Sequence, residues 1–239
     1  MAPKNSIITG MDRLDSDAIL CFMGGVTLNS LETHYRPNTL SIGRILQIYS
    51  LRDAGLIDSD TPILVGGAQV NYHTGLVYPD ESMSETHAIL LSEGHDDFKN
   101  VVPMKAGFDT ASEAGAMLHY IREQHPEWRR FTYNSDTQHY PRIEVILRKF
   151  FGPGYSYEPN PLSNPANGKI LPQREELIIS LFQKHFARYE DGAVPYVSDE
   201  QFYHDNKAYF TEQRSIIEST STKPEDMAAY DGGRRGSLK

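Results

Sequence analysis

Two short apolar runs that each stop at a glycine pair constrain this chain most: DAILCFM ahead of Gly24-Gly25, and PILV ahead of Gly66-Gly67. Runs this short, closed by turn residues, read as strands buried on both faces. Between them, residues 39–55 place Leu40, Ile45, Ile48 and Leu51 near helical spacing, with Gly55 where a helix stop belongs. Strand, helix, strand in this order predicts two parallel strands joined by a right-handed crossover, and so an α/β fold.

The alternation continues downstream, after a polar, turn-rich stretch over residues 68–82 that reads as a loop. Ser84 and Glu85 open an apolar helix through AILLSEG, with the acidic residue in its first turn. Residues 101–104 make a weaker strand. Residues 109–123 carry Ala111, Ala114, Leu118 and Ile121 on one side behind a cap at Asp109 or Thr110. A strand at 131–134 leads to a helix over 140–151 with Ile143, Ile146, Leu147 and Phe150 at core spacing. Residues 152–172 are dense in Pro and Gly and read as an irregular connector. Helices over 175–189 and 199–218 follow, and the polar, Gly-rich end is expected to be mobile. The expected organisation is an α/β domain over 1–160, a helical extension packing on it over 161–218, and a tail over 219–239.

Composition narrows the function classes. A net charge of −9, with no basic cluster longer than Trp128-Arg129-Arg130 or Arg234-Arg235, argues against nucleic acid as a partner. No run approaches the roughly 20 apolar residues of a membrane span, and the N-terminus lacks the apolar core of a secretory signal, so the expectation is a cytoplasmic protein without membrane contact. The single cysteine, Cys21, lies inside the first apolar run and reads as a buried structural thiol. Homo-oligomerisation is left open.

Several familiar chemistries are missing from the pattern. There is no GxGxxG fingerprint, no Walker lysine loop, no GxSxG elbow and no HExxH helix, and His73 and His87 lack metal-ligand spacing, so no metal is expected. What remains is a set of polar residues at expected strand ends and helix starts. The glycine pairs let backbone approach a ligand, or serve only as turns. Glu85 and Glu113 fall in first helical turns, where a carboxylate either moves protons or complements a helix dipole. His139 and Arg142 stand together at a helix start. Arg142 suits a phosphate or carboxylate and His139 a proton, with Asp136 as orienter; the alternative is a surface ion pair of His139 with Asp136.

Taken in order, DAILCFMGG, Arg44 within GRILQIYSLRDAG, ILVGGAQ, SETHAILLSEG, FDTASEAGAML and DTQHYPRIEVILRKF resemble the YdcF, SanA and ElyC family over roughly residues 17–160. The resemblance implies a Rossmann-like, mostly parallel sheet flanked by helices, here with a C-terminal helical elaboration, and a small-molecule pocket. It carries over Gly24, Gly25, Arg44, Gly66, Gly67, Ser84 and Arg142 as ligand-binding residues, and Glu85, Glu113 and His139 as candidate acids and bases. Where the family has Ser-Thr-x-Glu-Asn, this chain has Thr110-Ala111-Ser112-Glu113-Ala114, without that threonine hydroxyl and asparagine amide. The YdcF branch is associated with S-adenosylmethionine, and the lack of an anchor places the chain beside it.

Two functional readings follow. One is a transferase or hydrolase acting on a phosphate- or nucleotide-bearing small molecule. The other is a non-catalytic module that binds or senses S-adenosylmethionine or a nucleotide.

Overall fold

The computed structural model describes residues 12–23, 26–28, 35–37, 39–67, 70–71, 76–77, 83–94, 98–104, 109–165 and 172–220. The expectations for Gly24, Gly25 and residues 221–239 lie outside these. The protein is α/β. The strands are β1 (Ala18–Cys21), β2 (Val26–Leu28), β3 (Tyr35–Pro37), β4 (Ile63–Val65), β5 (Val70–Asn71), β6 (Leu76–Val77), β7 (Val101–Pro103), β8 (Arg130–Asn134) and β9 (Ser156–Pro159). The helices are α1 (Thr39–Asp53), α2 (Met83–Gly94), α3 (Thr110–Gln124), α4 (Tyr140–Phe151), α5 (Pro172–Phe186), α6 (Asp199–Asp205) and α7 (Lys207–Thr220).

Five strands form one parallel sheet in the order β7-β4-β1-β8-β9, a Rossmann-like arrangement, while β2 pairs with β3 and β5 with β6 as small antiparallel hairpins. In β1 the pleat sends alternate residues to opposite faces. Ala18 and Leu20, with Phe22 just beyond, join Leu64, Phe131 and Tyr133 in a core closed by Ala114, Met117, Ile121, Ile143, Ile146 and Phe150 of α3 and α4. Ile19 and Cys21, with Met23, join Ile63 and Val65 against Ile45, Ile48 and Leu51 of α1 and Leu91 of α2. The chain therefore forms two apolar cores separated by the sheet.

The helical extension thickens one side only. Phe182, Phe186, Phe202, Tyr209 and Phe210 belong to the same core as Leu20 and Phe150, so α5 to α7 are continuous with the α3 and α4 side of the sheet. Ring contacts carry the junction: the Phe150 ring of α4 lies 6.3 Å from Phe182, 6.0 Å from Phe186 and 5.9 Å from Phe202 between centroids.

Three expectations need correction. The connector over 152–172 contains β9, paired in parallel with β8 from Arg130↔Ser156 to Tyr133↔Pro159. As a largely exposed edge strand it carries no apolar period to read, and an edge tolerates its proline. The stretch read as loop after Gly67 contains the β5–β6 hairpin. The single helix expected over 199–218 is two, broken where Asn206 turns its side-chain amide back to Phe202 O at 2.8 Å and caps α6. The Asp109 cap and the Gly55 stop are as read. Asp109 Oδ1 accepts from Ser112 N–H at 2.8 Å within a capping box, and Gly55 has φ of +71°, where a side chain is strained.

Phe182→Ala should cost about 3–5 kcal/mol, because it empties a shared core. Denaturation followed by Trp128 fluorescence and by far-ultraviolet circular dichroism should give coincident transitions. A separate early transition of the C-terminal helices would contradict the continuous core.

Candidate functional site at the strand switch point

From β1 the chain crosses first to β4 and β7 on one side, then to β8 and β9 on the other, so the winding reverses between β1 and β8. Outside the carboxyl ends of those two strands the neighbouring connections diverge and leave a crevice, the usual ligand position in an open parallel sheet. Of the polar side chains that the sequence singles out, those of Arg44, Glu113, His139 and Arg142 converge there, and they are buried.

Arg44 reaches the crevice from α1. Its Nε donates to Asp136 Oδ2 at 2.7 Å, a second nitrogen lies 2.6 Å from the same oxygen, and the third donates to Phe22 O at 2.9 Å. Both residues of the pair are almost fully enclosed. Asp136 is therefore committed to Arg44 rather than to His139, which it was expected to orient. Arg44 itself ties α1 to the ends of β1 and β8, and Asn134 of β8 donates to Arg44 O at 3.0 Å from the other direction.

Gly66 closes β4. A Cβ on Gly66 would sit 2.5 Å from Glu113 Oε1 and 3.2 Å from Cys21 O, so only a residue without one lets the carboxyl lie against the strand end. Gly67 follows with φ of +145°, a conformation that L side chains rarely adopt. Glu113 itself comes from the first turn of α3 and accepts a backbone N–H bond from Met23. Burial raises its pKa from 4.5 to about 8; the Asp109 carboxylate adds to the rise, and Arg44 and Arg142 oppose it. Glu113 is therefore a carboxylic acid at neutral pH and has a proton to give.

His139 stands where a short 3-10 turn (Thr137–His139) runs into α4. Its Nδ1 is 2.9 Å from Ser135 Oγ, and its Nε2 is 3.0 Å from Thr110 Oγ1 and 2.5 Å from an Arg142 nitrogen. A guanidinium can only donate, so Nε2 is the acceptor and the proton belongs on Nδ1, facing Ser135. Burial first, then the charges of Arg142 and Arg44, push the imidazole pKa well below 6.5. His139 is thus a neutral ring whose basic nitrogen is already engaged, and the alternative of a surface ion pair with Asp136 is excluded by the burial of both. Arg142 Nε in turn lies 3.1 Å from Glu175 Oε2 of α5.

The structure therefore brings together Arg44, Gly66, Gly67, Glu113, His139 and Arg142 at one edge. Ser84 and Glu85 open α2, which topology places at the same edge, with Glu85 half-buried. Thr110, Ser135 and Glu175 are not among the site residues that the sequence singles out. The first two are short polar residues one helical turn from Glu113 and His139, whereas Glu175 is about thirty positions downstream of Arg142 and carries no sequence signal for the contact. The α7 helix adds a brace: Tyr209 Oη and Gln213 Nε2 each donate at 3.3 Å to Asp109 Oδ2, which fixes the start of α3 under Thr110 and Glu113.

Cys21 is buried behind this edge, its thiol pushed up to about 12 by burial, which makes it a structural group. A groove lined by Val145, Arg148, Lys149, Phe182, Gln183 and Phe186 lies on the far halves of α4 and α5, away from the converging side chains. Among the described residues no cluster of three or more His, Cys, Asp and Glu could hold a metal, and no helix is long and apolar enough to cross a membrane. No protein-family model matches the chain, and neither a curated protein nor a solved structure does.

The Glu113 proton has a measurable consequence. A carboxyl whose folded pKa is about 8 rather than 4.5 contributes stability that is complete below the lower value and lost as pH rises through the upper one. Chemical denaturation across that interval should show wild type losing stability with pH relative to Glu113→Gln. A pH-independent difference between the two would show that Glu113 is ionised in the folded protein.

Proposed function

We propose that the switch-point crevice binds a polar small molecule bearing a phosphate or nucleotide group, and that the protein acts on it as a transferase or hydrolase. The carrying observation is the convergence of an arginine, a neutral histidine and a buried carboxylic acid, from three different elements, where the sheet winding reverses. In this reading Arg142 holds the anionic group, and the glycine-bounded end of β4 lets the ligand approach backbone. Glu113 is the general acid, since a carboxyl still protonated at pH 7 can protonate a leaving group.

His139 takes a more restricted part than its residue type suggests. While Arg142 donates to Nε2, the ring orients the arginine and accepts no further proton. An anion that draws the guanidinium towards itself uncovers that lone pair, so ligand binding and basicity at His139 are coupled. The parallel, Rossmann-like sheet is the fold that the resemblance to the YdcF group implies, and a buried cysteine outside any disulfide suits a cytoplasmic setting.

A second reading rests on the same occupied lone pair: if Nε2 stays bonded to Arg142 with ligand present, the site only recognises, as a binding or sensing module for a nucleotide or S-adenosylmethionine would. Native mass spectrometry of freshly purified protein, followed by a metabolite turnover screen, separates the two. A retained polar small molecule, lost in Arg142→Ala, and turnover that falls by about 10²–10⁴-fold in Glu113→Gln would be expected of the enzyme. Retention without turnover would favour the sensor, and no ligand with no turnover would remove both.

A further inference from the structure

Arg142 presents two nitrogens along one side of its guanidinium, the fork with which arginine grips a carboxylate or phosphate. In this protein that side is filled from within the chain. Nε faces Glu175 Oε2 at 3.1 Å, and the second nitrogen is bonded to His139 Nε2. Both charged side chains are enclosed, at 8% and 4% relative exposure, so the carboxylate is a built-in partner and not a passing surface contact. Glu175 lies in the first turn of α5, a helix that packs against the 3-10 turn carrying His139.

We infer that Glu175 is the specificity-determining residue of this site, occupying with its own carboxylate the face of Arg142 that an anionic ligand would use. The inference rests on the reading of Arg142 as the anion-holding residue. It assigns to the C-terminal helical layer a part in ligand selection that the α/β portion alone does not contain.

The contrast with Arg44, the other buried arginine at this strand edge, supports it. Arg44 directs two nitrogens to one Asp136 oxygen at 2.7 and 2.6 Å and places its third on Phe22 O, so all three of its nitrogens are engaged in holding the fold. Arg142 Nε faces Glu175 Oε2 at 3.1 Å without the alignment of a hydrogen bond, a looser match than that of Arg44 with Asp136, and the exchangeable position is therefore at Arg142. A bare anion arriving there must displace a buried carboxylate or lie beside it, and both cost electrostatic energy in a poorly solvated site. A simple anion such as inorganic phosphate is thus selected against. A ligand with additional groups along the strand ends recovers the difference through contacts elsewhere, so Glu175 discriminates by size and polarity as well as by charge.

Calorimetric titration of the full-length protein with inorganic phosphate at low ionic strength tests this. Wild type, Glu175→Gln, Glu175→Asp, Arg142→Ala and the Glu175→Gln/Arg142→Ala pair would be compared, with circular dichroism confirming the fold of each. Glu175→Gln keeps the side-chain shape and removes the charge, and phosphate should bind about tenfold or more tightly than to wild type, a gain abolished in the double variant. Glu175→Asp draws the carboxylate back by one methylene. It should show a smaller gain of the same sign, and it serves as the test if the glutamine variant does not fold. Unchanged or weaker binding in both Glu175 variants, with Arg142→Ala still reducing wild-type binding, would overturn the role of Glu175 and leave Arg142 as the anion site. Phosphate binding that is indifferent to Arg142, or undetectable in every variant, would overturn the reading of Arg142 and this inference with it.

Discussion

The buried pair between Arg44 and Asp136 is the interaction on which the rest of the arrangement depends. Removing two charges from water is expensive, and their attraction repays it only when geometry is close and the remaining donors are satisfied. Both conditions hold here, because Asp136 takes two guanidinium nitrogens and Phe22 O takes the third. The pair fastens α1, from one face of the sheet, to the ends of both β1 and β8. The switch-point crevice therefore has a fixed floor, and the residues after β8, from Ser135 to Arg142, emerge in one defined direction.

Upon that floor the electrostatics follow a consistent logic of burial. Each described charge near the crevice is answered by a neighbour or withdrawn: Arg44 by Asp136, Arg142 by Glu175, the Glu113 carboxyl by protonation, and the His139 ring by remaining neutral. The site is thus closer to a polar, nearly balanced cradle than to a simple cationic trap. The C-terminal layer contributes to this directly. Glu175 compensates Arg142, while Tyr209 and Gln213 hold Asp109 at the start of α3. Helices that read as an appendage in the sequence are joined both to the core and to the chemistry.

What could be read from sequence was what local pattern encodes. Strands β1 and β4 announced themselves because a strand buried on both faces is an unbroken apolar run, and α1, α3 and α4 because their core-facing residues recur at helical spacing. Gly66 was legible as a close approach, though what approaches it, the Glu113 carboxyl, was not. Strand β9 escaped because an edge strand shows no such period, and the break at Asn206 because one asparagine interrupts an otherwise amphipathic stretch. Asp136 was assigned to the nearest histidine in the sequence, yet its partner is Arg44, 92 positions away. Pairings of this kind, like that of Arg142 with Glu175, arise only after the sheet and its flanking helices have assembled.

The site is built around His139 as a neutral ring whose Nε2 accepts a bond from Arg142, so the protonation of that imidazole is the quantity to measure. Nitrogen-15 NMR of histidine-labelled protein, with His139 assigned by comparison with His139→Gln, would report both ring nitrogens as a function of pH. The expected result is a proton on Nδ1, an unprotonated Nε2, and no titration until pH is well below 6.5. A ring protonated on Nε2, or one that takes up its second proton near 6.5, would contradict the arrangement of Arg142, His139 and Ser135 on which the proposed site is built.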